Sequence, residues 1–101
     1  MPVQVVVDSF FVEAFCRKWK VAELSLFGSA LTDEYRADSD IDILIAFEPD
    51  SGLDILDFVD MKAELERYFG RDVDLVDKDS LTNPFRRSNI LKTRRVIYAA
   101  G

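Results

Sequence analysis

The residues able to do chemistry gather in two places. Leu26-Phe27-Gly28-Ser29 ends an apolar run in a Gly-Ser turn, and Asp40-Ile41-Asp42 follows after a gap of ten residues. Aspartate is disfavoured in strands, and charges are rarely buried unless they are paired or metal-bound. Two of them alternating with Ile, Leu and Ala therefore point to a working site. Strand alternation puts Asp40 and Asp42 on one face, roughly 6.5–7 Å apart. Carboxylates that close repel each other, and a divalent cation relieves the repulsion. Gly28 allows a close backbone approach and a positive φ, and Ser29 offers a hydroxyl and an N–H where a helix begins, a place that favours phosphate. A third carboxylate is expected from Val73-Asp74-Leu75-Val76. Asp74 is preferred there over Asp72, which reads as a solvated charge at the strand's edge. Asp74 would help hold a metal and accept the proton of an attacking hydroxyl.

Composition narrows the chemistry. The chain has no histidine, which removes Ser-His-Asp and Cys-His catalysis and disfavours zinc. Oxygen donors remain, and they suit magnesium, manganese or calcium. The formal charge of −6 argues against a protein that grips nucleic-acid phosphates directly. At 101 residues, 49% of them apolar, the chain reads as one domain spanning 1–101. Cys16 is the single cysteine; it reads as helix packing, excludes an intrachain disulfide and fits a cytoplasmic protein. No run is long enough to span a membrane, and Met1 to Val7 carries no Lys or Arg, unlike a signal peptide.

Periodicity supplies the elements that would position these groups. A helix is expected over 9–19, a strand over 21–27, a short helix or turn over 29–35, and a strand over 40–47 stopped by Pro49. Ser51-Gly52 opens the strongest helix, with Ile55, Phe58, Val59, Leu65 and Phe69 on its apolar face and Gly70 as its stop. A third strand covers 71–76. Asn83-Pro84 starts a last helix running to about Thr93. Val96, Ile97 and Tyr98 fit either its end or a short strand. The order is α-β-α-β-α-β-α, an α/β domain with a small sheet covered by helices. Arg86-Arg87 and Lys92 to Arg95 read as a solvated helix face, and Phe10, Trp19 and Tyr68 as core.

On these motifs the chain resembles the minimal branch of the nucleotidyltransferase superfamily, whose catalytic core is like that of DNA polymerase β. Gly28-Ser29, the ten-residue gap, Asp40-Ile41-Asp42 and Asp74 match the superfamily signature; Asp38-Ser39-Asp40-Ile41-Asp42 and Phe47-Glu48-Pro49 look like the minimal branch. The resemblance implies the nucleotidyltransferase fold, an α+β arrangement with a mixed sheet. It also implies an antitoxin that transfers AMP from ATP to a tyrosine of a HEPN-family (HepT-like) RNase toxin. In that picture Gly28 and Ser29 hold the nucleotide phosphates, while Asp40, Asp42 and Asp74 bind magnesium, with two ions expected. Many relatives carry Arg in a Gly-Ser-x-Ala-Arg-Gly run, whereas this chain has Thr32 there and Arg36 as the nearest cation. Two other readings stand beside it: a non-catalytic antitoxin acting by contact, and one subunit of an aminoglycoside-type small-molecule nucleotidyltransferase.

Overall fold

A computed structural model describes residues 7–28 and 40–100. In chain order the elements are α1 (Ser9–Lys18), β1 (Val21–Phe27), β2 (Ile41–Phe47), α2 (Ile55–Phe69), β3 (Val73–Asp77), a 3₁₀ turn (Lys78–Ser80), α3 (Pro84–Thr93) and β4 (Arg95–Ala99). The sheet order is β3-β2-β1-β4. β2 and β3 are parallel, while β1 runs antiparallel to both β2 and β4, so the sheet is mixed. Parallel neighbours need a crossover, and α2 supplies it.

The expected order needs one correction and one reservation. Arg95–Ala99 is a fourth strand rather than a helix end, because the N–H groups of the chain beyond Arg94 find partners along the free edge of β1. The expected helix over 29–35 lies outside the described residues, as does Ser29.

Burial explains the strand sequences. β1 and β2 are the two interior strands, and both carry near-continuous buried runs, as strands covered on both faces do. Ile41, Ile43 and Ile45 project to one face, where they join Phe15 and Cys16 of α1 and Met61 and Leu65 of α2 in the main core. Leu44 projects to the other face and packs with Phe27, Leu81 and Ile90 of α3 in a smaller core. Helices α1 and α2 therefore cover one side of the sheet and α3 part of the other.

The helix ends follow local chemistry. Asp8 caps α1 by accepting from the Phe10 N–H at 2.9 Å. Asp54 and Asp57 form a reciprocal capping box at 3.0 and 3.1 Å, which starts α2 at Ile55 rather than near Gly52. Gly70 ends α2 in the left-handed conformation at φ 70°, its N–H donating to the Glu66 carbonyl at 2.8 Å. The buried face of α2 carries Met61 and Leu65, with Phe58 packed beside them, whereas Ile55 and Val59 point outward. Trp19 and Tyr68 are half-buried: the indole N–H donates to Glu64 Oε2 at 3.2 Å, and Tyr68 stacks on Phe11 at 3.7 Å. Phe10, expected in the core, is 83% exposed, because α1 turns Val12, Phe15 and Cys16 inward instead.

Candidate active site

Strand register brings two of the expected carboxylates together. Asp42 and Asp74 are direct partners across the parallel β2–β3 ladder, so their backbones lie about 4.8 Å apart and their side chains share a face. That is the face carrying Leu44 and α3. Asp42 is half-buried and Asp74 exposed. Asp40 precedes β2 and is exposed, outside the strand in which it was expected. Asp72 also lies outside its strand, and its carbonyl accepts the Ile41 N–H at 2.9 Å, which locks the two strand starts together.

Gly28 closes the site from the β1 side. Phe27 pairs with Asp42 across the antiparallel ladder, and Gly28 follows at φ 68°. A Cβ placed there would stand 2.3 Å from Asp42 Oδ2. Glycine suits the left-handed turn, and any larger residue would have to push the Asp42 carboxylate aside. Gly28 was singled out as a phosphate contact; its observed neighbour is the Asp42 side chain.

The donors suit a hard divalent cation, since three carboxylates offer only oxygen and the one cysteine is buried among main-core residues on the opposite face. Among the described residues, however, no three His, Cys, Asp or Glu side chains converge as a metal-holding group. The backbone aligns Asp42 with Asp74 across one rung of the ladder. A cleft of about 340 Å³ lies at the far ends of β2 and β3, between Phe47 and Asp77.

Two supporting interactions escaped sequence reasoning. Glu66 reaches from α2 to accept the Val73 N–H at 3.1 Å, and so fixes the start of β3 next to Asp74. On β1, Glu23 meets Arg94 and, at 3.5 Å, Lys78. This half-buried cluster ties β1 to the end of α3 and to the turn after β3. Arg94 therefore does not belong to the solvated face to which the sequence assigned it. The partners lie 7, 55 and 71 positions apart, and no local pattern announces pairs at such separations.

A sequence profile of the nucleotidyltransferase domain matches residues 9–97. The chain belongs to the nucleotidyltransferase domain family. Among curated proteins, the protein adenylyltransferase MntA of Thermococcus cleftensis is 41% identical over 83 residues, covering 80% of this chain and 77% of that protein. Among solved structures, a toxin–antitoxin complex with AMP-PNP superposes with a TM-score of 0.72 at 22% identity, covering 93% of this chain and 75% of the other. The tri-AMPylated HEPN toxin of Shewanella oneidensis in complex with its MNT antitoxin gives a TM-score of 0.64 at 21% identity, covering 91% of this chain and 70% of the other. At those identities the likeness establishes the nucleotidyltransferase fold. It is a mixed sheet with helices, as the resemblance implied, and of the two alternatives left open for Val96, Ile97 and Tyr98 the short strand is the one observed. Among the described residues no helix is long and apolar enough to cross a membrane.

Proposed function

We propose that this nucleotidyltransferase is an antitoxin that moves AMP from ATP onto a tyrosine hydroxyl of a partner HEPN RNase toxin. The observation that carries the reading is the pairing of Asp42 with Asp74 beneath Gly28 in a chain 41% identical to a protein adenylyltransferase. Two structural neighbours add support: a toxin–antitoxin complex with AMP-PNP, and an AMPylated HEPN toxin with its MNT antitoxin.

Each residue has a stated task. Asp40, Asp42 and Asp74 would hold magnesium, which when bound neutralises phosphate charge and acidifies the acceptor hydroxyl. Gly28 leaves room for the Asp42 carboxylate and turns the chain toward Ser29, whose hydroxyl and N–H would face the nucleotide phosphates. Asp74, exposed on the edge strand β3, stands where an acceptor can approach and would take the hydroxyl proton. The acceptor would be positioned by the partner protein. In-line attack at the α-phosphorus then depends on that positioning and on charge neutralisation.

The test is an intact-mass measurement on a HEPN toxin incubated with this protein, ATP and magnesium. A gain of one or more AMP units on a tyrosine is the expected result. A stable complex with no mass gain would replace the reading by neutralisation through contact alone.

A further inference from the structure

The cleft at the far end of the sheet has a character unlike the carboxylate site. Phe47, Leu53, Phe58 and Met61 supply its apolar lining, with Asp54 and Asp77 among the polar groups. Beside it the first turns of α2 leave Ile55, Leu56 and Val59 at 77%, 70% and 56% exposure. These are three of the large apolar side chains in a helix whose inner face is already filled by Met61 and Leu65. Contiguous exposed apolar surface of this kind, with a concave floor, marks an interaction site.

The surrounding charge selects the occupant. Residues 48–61 contain Glu48, Asp50, Asp54, Asp57 and Asp60 and not one Lys or Arg. From the neighbouring turn, Lys78 is drawn away to Glu23. A second copy of this chain would bring the same acidic rim against itself, and like charges in juxtaposition disfavour pairing. We propose that this cleft docks a cationic amphipathic protein segment, with an apolar side chain seated between Phe47 and Phe58 and Lys or Arg residues against the acidic rim.

The place of the cleft adds a consequence. Phe47 is five residues along β2 from Asp42, or about 16 Å at ~3.3 Å per residue. A partner held there leaves the carboxylate face open. Docking and transfer are separate contacts, and the first raises the effective concentration of the acceptor for the second. The docking claim does not rest on the transfer reaction, so either can fail alone.

The test is a backbone-amide NMR titration of the full chain with three synthetic peptides of equal length: Leu/Lys amphipathic, Leu/Glu amphipathic, and Ser/Lys without apolar residues. Only the Leu/Lys peptide should bind. Its shift changes should centre on residues 47–61 and 77–80, and its affinity should fall severalfold as salt shortens the Debye length from about 10 Å to about 3 Å. Leu56→Ser with Val59→Ser alters exposed positions only, and should weaken binding about tenfold or more while leaving the spectrum folded. Equal binding of the Leu/Glu or Ser/Lys peptide would overturn the proposal. So would shifts centred on residues 40–42 and 74, an unchanged affinity in the double variant, or concentration-dependent self-association through the same residues.

Discussion

Gly28→Ala isolates the contact on which the site is built. The new methyl would lie 2.3 Å from Asp42 Oδ2, and Cβ contacts under 3.0 Å are essentially never found. The carboxylate must retreat by at least about 0.7 Å, and by about 1.1 Å to reach ordinary contact at 3.4 Å. Its strand cannot move instead, because Ile41 and Ile43 on either side are 1% and 0% exposed in the main core. The side chain must then leave its rotamer, at about 0.5–1.5 kcal/mol, while alanine at φ 68° adds about 1–2 kcal/mol of left-handed strain. Together, roughly 2–3 kcal/mol corresponds to a Tm loss of about 10 °C or more in a domain of this size. Displacing a reacting group by about 1 Å costs on the order of 100-fold in rate. Gly70→Ala is the matched control: φ is also 70°, and nothing lies within 4 Å of its new Cβ. Thermal unfolding by circular dichroism and initial rates of AMP transfer should therefore separate the two. Both variants lose stability, and only Gly28→Ala loses the rate. Equal transfer rates in the two variants would refute the role given to the Gly28–Asp42 contact.

Cys16, Ser25 and Glu23 each make a separate prediction. Burial pushes the Cys16 thiol up from 9.0 to about 12. The folded state holds this proton longer than the unfolded chain does, so the group's contribution is complete below pH 9.0 and drains away as pH rises toward about 12. Denaturant titrations across that window should show a steeper alkaline loss for the native protein than for Cys16→Ala. Ser25 is fully buried on β1, and its hydroxyl has no hydrogen-bond partner among the described residues. Ser25→Ala should thus be neutral or stabilising in chemical denaturation, and a loss beyond about 1 kcal/mol would reveal a missed partner. Glu23→Ala strips Arg94 and Lys78 of their shared carboxylate and should cost about 1–3 kcal/mol, read as a lower urea midpoint.

The sheet was legible where its strands are interior. β1 and β2 are covered on both faces, so their apolar runs and the glycine and proline that stop them mark them out. β4 was ambiguous for the opposite reason. Val96, Ile97 and Tyr98 form a short edge segment just past a helix, where periods of 2 and 3.6 cannot be told apart over three residues. On α2 the apolar residues were read as one face, yet Ile55 and Val59 lie outside it. Helical periodicity reports that a stripe exists, not which neighbour covers it. The alternation of Asp40-Ile41-Asp42 and Val73-Asp74-Leu75 placed Asp42 and Asp74 within apolar strands, where they are found, but Asp40 falls just before β2. It could not show that Asp42 and Asp74 share a rung, since register between β2 and β3 is set by packing across a 15-residue helix. Nor could it give Gly28 its neighbour, because the approach to Asp42 exists only once β1 and β2 pair.

In the proposed reaction the Asp42–Asp74 rung carries nucleotidyl transfer. Initial rates of labelled-AMP transfer to a HEPN toxin, with ATP and magnesium saturating for the native protein, test it most directly in Asp42→Asn and Asp74→Asn. Both variants keep the side-chain volume, and circular dichroism checks that both stay folded. A fall on the order of 100-fold or more in each is predicted. Native rates in either folded variant would contradict the claim.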